Sequence, residues 1–486
     1  MNTAALIEIC KPLHITNIDA VDEVTSFCID SRKAKPGSAF LAISGTEVDG
    51  HMFIEDAIQN GANVIICEET FYTDDDQVCI MEVEESRKLA GLIAQAFYSE
   101  PAKEMKIIGI TGTNGKTTTA TLVYQVLKEL GQKTSLLGTV NKRILDQAED
   151  SALTTSDPIE LAADMRRMAS AGSDYLAMEV SSHALDQYRT AGVEFSVGAF
   201  TNLSHDHLDY HDSMEEYARA KKLLFDDLPS SSFAIINADD AYGAFMTGDC
   251  NAKIRELSFK DGSSEIKENT PGGLVLSIGE RELRSPLVGD FNAYNVGMTF
   301  LICESLGFSP DEIAKALTKA PGAPGRMEKV MTEGEGPNVI VDYAHTPDAL
   351  KNVLETLHEI REEDQKLFVV FGAGGDRDTS KRPEMAQIAE QIADRVIVTS
   401  DNPRTENPDL IIADIVNGFE NLEKVKSISS RKEAIGFAIS EAGDNDIVLI
   451  AGKGHETYQE VNGVRHNFDD RQVALEFLMQ RSGEVN

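Results

Sequence analysis

Short unbroken apolar runs alternate along this chain with longer stretches in which apolar residues recur every three or four positions. The runs read as strands buried on both faces and the stretches as amphipathic helices, so their alternation predicts parallel sheets covered by helices. To about Ala102 the pattern is short, with strands around Ala39–Ile43 and Val64–Cys67, a helix near His51–Asn60, and an acidic run, Asp74–Asp76, that reads as a solvated loop. A second block opens with the strand residues Ile107, Ile108 and Ile110 and a helix-compatible run from Thr118 to Leu130. Strands at Tyr175–Val180, Val197–Leu203 and Phe233–Asn237 follow, separated by helical segments such as Ile159–Ala171 and Met214–Leu224. Between Lys253 and Leu287 the pattern turns to short strands and turns, including a hairpin-like Leu276–Arg284, which predicts a small antiparallel patch. Beyond a Pro/Gly-rich link, Pro321–Gly325, strands at Val339–Asp342, Leu367–Phe371, Val396–Thr399 and Ile447–Ala451 alternate with helices again and predict a second parallel sheet. The expected fold is α/β with three domains: a smaller N-terminal one (1–102), a central parallel-sheet domain (103–324) and a C-terminal Rossmann-like domain (325–486).

Composition narrows this picture. A chain of 486 residues is too long for one ordinary core, and a formal net charge of -36 argues against a nucleic-acid partner, whose backbone most of the surface would repel. Anionic substrates stay possible where Lys and Arg gather locally. No apolar run approaches a membrane span, and the first residues lack the basic region and apolar core of a signal peptide. The six cysteines show no metal-ligand or CxxC spacing, and most sit in apolar surroundings, as reduced core residues do. A cytoplasmic monomer is expected.

Chemistry first shows at Lys106–Thr119, KIIGITGTNGKTTT. Strand, glycine loop, Lys-Thr and helix form the arrangement that cradles nucleotide phosphates: loop amides and the helix N-terminus face the anion, Lys116 reaches the outer phosphates, and the Thr117 hydroxyl can hold Mg2+. The glycines fall at Gly109, Gly112 and Gly115 rather than at the spacing of the general GxxxxGK[ST] pattern. Ligands of open parallel sheets collect beyond the carboxyl ends of strands. Those ends carry Glu179, Ser181 and His183 after one strand, and Asp206, His207, Asp209 and His211 after the next, carboxylates and imidazoles able to complete a magnesium site begun by Thr117. Lys221, beside Lys222 on a helical run, reads from periodicity alone as a surface charge. In the third block the strand ends carry Asp342, His345 and Pro347; Gly372–Asp378; Asp401, Asn402, Pro403, Arg404 and Glu406; and Gly452, Lys453, His455 and Glu456. Arg377 and Arg404 can fork onto a carboxylate while Glu456 accepts from an ammonium, so a pocket with both signs suits a zwitterionic amino acid.

In order along the chain, the segments DSR, GTNGKTTT, TT, EVSSHALDQYR, TNLSHDHLDYH, ARAK, GDFNAYN, GRME, DYAHTP, GDRD, DNPR and GKGHE resemble the Mur ligases, the ATP-dependent amide-bond enzymes of peptidoglycan synthesis. The resemblance covers essentially the whole chain and is strongest to the branch that adds 2,6-diaminopimelate to UDP-N-acetylmuramoyl-L-alanyl-D-glutamate. It implies that Ile29, Ser31 and the Gly45–Thr46–Glu47 turn lie near the uridine nucleotide, and that Thr154, Thr155, Ser181, Gln187 and Arg189 contact the sugar-peptide substrate. It implies ATP around Gly112, Thr113, Asn114, Gly115, Lys116, Thr117 and Thr118, with Asn292, Arg326 and Asp342 about adenine and ribose. Thr117, Glu179 and His207 match magnesium positions. Lys221 matches a lysine carbamylated by carbon dioxide, which replaces the surface-charge reading, since a carbamate is an oxygen ligand for a second Mg2+. With Lys116, Glu179 and His207 it forms the implied catalytic set. Arg377, Asp401, Asn402, Pro403, Arg404, Gly452 and Glu456 match the pocket for the incoming amino acid, and Arg404 in DNPR implies meso-diaminopimelate, whose distal carboxylate can take a guanidinium. Another ligase of the superfamily, such as folylpolyglutamate synthetase or a sister Mur enzyme adding a different residue, a P-loop motor or kinase, and a non-catalytic UDP-sugar binder are the alternatives. Residues on two sheets would have to converge, so a motion hinged near Pro321–Gly325 is expected.

Overall fold

The computed structural model describes residues 1–45, 48–207, 210–330 and 336–482. The chain divides into two units, Met1–Leu257 and Ser258–Asn486. Thr46, Glu47 and Asp209, singled out above, lie outside the described residues.

The first unit holds two sheets. The N-terminal one has five strands in the order His14–Thr16, Cys79–Glu82, Ala62–Cys67, Ser38–Leu41, Ser26–Cys28, all parallel except the first. Both faces are buried, Val64 and Ile66 into one cluster and Ile65 into the other, which is why this strand reads as an unbroken apolar run. The second sheet has eight strands: Lys253–Leu257, Phe233–Asn237, Val197–Phe200, Lys106–Thr111, Tyr175–Glu179, Thr134–Leu137, Lys142–Ile144 and Gln147–Glu149. The first six run parallel, and the last two extend the edge as an antiparallel hairpin. Lys253–Leu257 was expected in an antiparallel patch. It pairs in parallel with Phe233–Asn237 instead, and its mostly unburied, charge-bearing sequence is that of an edge strand.

Helices cover the sheet where the spacing predicts them. Pro158–Ser170 starts at Asp157, whose side chain accepts from the amides of Ile159 and Glu160, and Met214–Asp226 starts at Ser213, which accepts from Glu216 N. The loop Asp74–Asp76 is exposed as expected. The cysteines are free, and all but Cys250 are buried.

The second unit begins with a three-stranded antiparallel sheet, Ser264–Thr270, Gly273–Ile278 and Arg281–Ser285, its last two strands forming the hairpin read from Leu276–Arg284. Its main sheet has the order Glu328–Lys329, Asn338–Asp342, Ile447–Ala451, Leu367–Phe371, Arg395–Val398, Val425–Ser427, parallel but for the short first strand. Helices on both faces bury its alternating side chains in two clusters, one around Ile340, Val369 and Leu449 and the other around Val341, Val370 and Ile450. No described helix is long and apolar enough to cross a membrane.

Candidate active site

In the first unit, Glu179 pairs with Ile110 and Phe200 with Thr111, so three neighbouring parallel strands end at one level. The Gly112–Gly115 turn leaves the middle one. Gly112 has φ +148, and a Cβ there would lie 1.9 Å from Thr201 Oγ1; no other residue fits so close to the next strand end. The turn is tied to that strand end: Thr113 N donates to Asn202 O (2.8 Å), Asn114 N to Asn202 Oδ1 (3.0 Å), and Thr201 Oγ1 to Asn114 O (2.6 Å). Two of the amides expected to face an anion are therefore spent on Asn202. The helix Lys116–Glu129 starts at Gly115 without a side-chain cap, which leaves its N-terminus as the anion-facing element.

Lys116 Nζ donates to the carbonyls of Gly112 (2.9 Å) and Thr113 (2.8 Å). Lys221 Nζ donates to the same Gly112 oxygen at 2.8 Å. Lys221 is 1 % exposed, which overturns its reading as a surface charge; the solvent-facing lysine of the pair is Lys222, bridged to Asp226 and Asp249. Burial, and then the nearby Lys116, push the Lys221 amine well below the ordinary lysine range. Its Nζ lies 4.4 Å from the ring centroid of Tyr217, whose hydroxyl is 3.2 Å from Thr113 Oγ1. Burial pushes the Tyr217 phenol up to about 12, so it stays neutral.

Glu179, 1 % exposed, meets the start of the helix directly. Thr117 Oγ1 donates to its Oε2 at 2.9 Å, Thr139 Oγ1 to the same oxygen at 3.1 Å, and Thr139 N to Oε1 at 2.7 Å. Thr139 escaped the sequence reading because its strand, Thr134–Leu137, is short; the strand-end rule applied to LLGT would have found it.

His207 has φ +54 and is exposed, its ring 4.9 Å from His183 and 5.9 Å from Tyr217. His211 is buried, its Nε2 lies 3.0 Å from Ser182 Oγ, and burial depresses its pKa. Among the described residues no three His, Cys, Asp or Glu side chains gather at metal distance. The hard oxygens of Thr117 and Glu179 nonetheless suit Mg2+, which commonly takes one or two carboxylates and completes its shell with water and phosphates.

The residues assigned to the sugar-peptide form one hydrogen-bonded chain leading away from Glu179. Thr154 Oγ1 is 3.0 Å from Thr139 Oγ1, Thr155 Oγ1 donates to Glu179 O (2.9 Å), and Ser181 N donates to Thr155 Oγ1 (3.1 Å). Arg189 donates to Thr155 O (2.9 Å) and, through Nε and a terminal nitrogen, to Gln187 Oε1. Ile29 and Ser31 follow the strand Ser26–Cys28 in the N-terminal sheet, away from this chain in sequence; Ser31 is buried, and its carbonyl accepts from Asn60 Nδ2.

In the second unit, buried Asp342 accepts from Met327 N (2.7 Å) and Ala344 N (2.8 Å), while its burial raises the carboxyl above the usual range. Arg326 lies over the ring of Tyr343, 5.0 Å from its centroid, and its buried Nε has no partner among the described residues. Asn292 is spent internally, donating to Val288 O and accepting from Asn295 Nδ2, both at 2.8 Å.

The DNPR segment curls against two other strand ends. Gly375 N donates to Asn402 O, and Arg404, at φ +50, donates from a terminal nitrogen to Gly375 O at 2.7 Å. Pro403 is buried beside it, and Arg377 is exposed. Gly452 has φ +118, and a Cβ there would lie 2.5 Å from Asp401 Oδ2. Glu456 Oε2 accepts from Asn402 Nδ2 at 2.8 Å. Behind them Arg431, wholly buried, pairs bidentately with Asp470 at 2.7 Å and lies 3.8 Å from Asp401. Neither Arg431 nor Asp470 is marked by the sequence, because each sits among neighbouring charges at the start of a helix, far in sequence from the strand ends it supports.

Family models match three stretches: "Mur ligase family, catalytic domain" over residues 23–98, "Mur ligase middle domain" over 110–303, and "Mur ligase, glutamate ligase domain" over 325–454. The UDP-N-acetylmuramoyl-L-alanyl-D-glutamate--2,6-diaminopimelate ligase of Cytophaga hutchinsonii is 45% identical over 462 residues, 94% of this chain and 95% of its own. The chain belongs to the Mur ligase family. The Parabacteroides distasonis protein of the same name is 44% identical over 96% of each chain. A solved structure of a UDP-N-acetylmuramoyl-L-alanyl-D-glutamate--2,6-diaminopimelate ligase superposes with a TM-score of 0.73 at 34% identity, covering 94% of this chain and 95% of that one.

Proposed function

We propose that the protein is the ATP-dependent ligase that adds meso-2,6-diaminopimelate to UDP-N-acetylmuramoyl-L-alanyl-D-glutamate, releasing ADP and phosphate and supplying the tripeptide precursor in cytoplasmic peptidoglycan synthesis. The observation that carries the reading is the junction at Gly112: Lys116 and Lys221 share one carbonyl, beside a buried Glu179 that touches Thr117. The three-domain division at 1–102, 103–324 and 325–486 belongs to the same proposal, as does a monomer.

In the first step the γ-phosphoryl group of ATP passes to the substrate's glutamyl carboxylate, forming an acyl phosphate. Lys116 turns from the Gly112 and Thr113 carbonyls to the phosphates, and the uncapped helix N-terminus binds them. Thr117, Glu179, His207 and the carbamate of Lys221 would hold Mg2+, which neutralises charge on the phosphoryl oxygens when bound. Only an unprotonated amine takes up carbon dioxide, and the burial of Lys221 favours that form. Thr154, Thr155, Ser181, Gln187 and Arg189 orient the sugar-peptide, with Ile29 and Ser31 on its uridine end. Asn292, Arg326 and Asp342 serve the adenosine.

In the second step an amine of the incoming amino acid attacks the acyl phosphate, and the tetrahedral adduct expels phosphate. Arg404, with Arg377, Asp401, Asn402, Pro403 and Gly452, orients the amino acid, and Glu456 accepts from its ammonium. No side-chain nucleophile is needed; well-oriented reactants alone can contribute on the order of 7–11 kcal/mol.

The test is isotopic. A dipeptide substrate carrying heavy oxygen in its glutamyl carboxylate should pass one labelled oxygen to the released phosphate. Unlabelled phosphate released together with tripeptide would exclude the acyl phosphate.

A further inference from the structure

We propose that Lys453 is a positioning residue of the amino-acid pocket, whose ammonium aims the Glu456 carboxylate at an amine of the incoming amino acid. The proposal rests on the ligase reading above. Lys453 lies just beyond the strand Ile447–Ala451, and its side chain is 0 % exposed. A lysine wholly out of water needs hydrogen-bond acceptors, and it meets two side-chain ones among the described residues. Its Nζ donates to Asn402 Oδ1 and to Glu456 Oε2, each at 3.0 Å. Asn402 Nδ2 donates to the same Glu456 oxygen at 2.8 Å, so three side chains close a ring. Asn402 Oδ1 also accepts from Glu460 N at 2.9 Å, which fixes the way its carboxamide faces.

The ring is one-sided. Both donors reach Oε2 of Glu456, whose side chain stays 18% exposed, so one carboxylate oxygen is anchored from within and the other is left to a ligand. An uncharged residue at 453 would serve packing as well or better, because buried ion pairs seldom outperform well-packed apolar groups. What an ammonium adds is direction: it holds the carboxylate at one angle and keeps it from swinging to another cation. The DNPR segment and the GKGHE turn are thereby locked together through Asn402, and the Glu456 carboxylate is set before the ligand arrives.

The experiment uses the full-length protein and steady-state kinetics with each of the three substrates varied in turn. K453M should raise KM for diaminopimelate on the order of tenfold or more, the scale of a lost charged hydrogen bond. KM for ATP and for the UDP-dipeptide should stay within about twofold, and kcat at saturating amino acid within about threefold, because only the aim of Glu456 has changed. The double variant K453M/E456Q should be no worse than E456Q alone, since Lys453 acts through Glu456. A K453M that fails to melt cooperatively is replaced by K453Q, which loses the charge but can still donate, and the same comparison is read with a smaller rise. A rise in all three KM values together, losses that multiply in the double variant, or an unchanged KM for diaminopimelate would overturn the assignment. Wild-type protein that releases no phosphate in response to any amino acid would instead sink the ligase reading, and this one with it.

Discussion

Replacing Lys221 with Met should stabilise the ligand-free protein while abolishing its activity. The amine is 1 % exposed and lies 2.8 Å from the Gly112 oxygen, to which Lys116 also donates at 2.9 Å, so the two nitrogens are within about 6 Å of each other. If both were protonated, their repulsion would be about 3 kcal/mol at an effective dielectric of ~20, before the cost of drying the ammonium. Met keeps nearly the same shape and forfeits one hydrogen bond, ~1 kcal/mol, so a net gain of about 1–2 kcal/mol is expected near neutral pH. The sign with pH follows from linkage. The folded-state pKa of Lys221 lies well below that of the unfolded chain, so between the two the unfolded state binds more protons, and wild-type stability climbs as pH rises through that window. The advantage of K221M is therefore full below the depressed folded value and disappears as pH passes the ordinary lysine value of 10.5. Urea unfolding of both proteins at several pH values, in buffer free of Mg2+ and carbon dioxide, measures the gap directly. A K221M less stable than wild type by a margin that does not change with pH would mean that Lys221 keeps its proton in the folded state, and the argument for its carbamylation would fail.

Other substitutions probe the site from other sides. R404A should cut kcat/KM for diaminopimelate about a hundredfold and that for lysine by less than tenfold, since only the former offers a second carboxylate to the guanidinium; equal losses in a competition assay would remove Arg404 from specificity. In G138A the new methyl would sit 2.4 Å from Glu179 Oε1, forcing the carboxylate off Thr139, and the Mg2+ concentration for half-maximal activity should rise on the order of tenfold while KM for the amino acid holds. An unaltered Mg2+ titration would show that Glu179 does not serve the metal. D470N leaves the wholly buried Arg431 guanidinium without its anionic partner and should cost about 3–5 kcal/mol in denaturant unfolding; a loss under 1 kcal/mol would mean that Asp401 takes over the pairing.

Much of this architecture is legible in the sequence because parallel strands buried on both faces, such as Ile447–Ala451, leave an apolar run whose end can be read as a site. That rule finds Glu179, Asp342, Asp401 and Glu456 without any structure. It fails where the strand is too short to announce itself, as at Thr134–Leu137 ahead of Thr139, and where an edge strand carries charge, as at Lys253–Leu257. Helical residues are harder still. Periodicity places Lys221 beside Lys222 and cannot tell which one turns inward; the 1 % exposure of Lys221 is set by the Gly112 turn, more than a hundred residues away. Arg431 escapes for the same reason, since a buried charge is defined by partners that sequence separation hides. At His211 the spacing near a strand end suggests a ligand, and the sequence does not show that the ring is buried against Ser182 and Tyr217.

The account stands most directly on phosphate release by the purified protein with Mg-ATP and UDP-N-acetylmuramoyl-L-alanyl-D-glutamate, compared with meso-diaminopimelate, with L-lysine and with no amino acid. Release that requires diaminopimelate, accompanied by the tripeptide product in the mass spectrum, is the predicted result. Release of equal rate in all three mixtures, with no tripeptide formed, would contradict it.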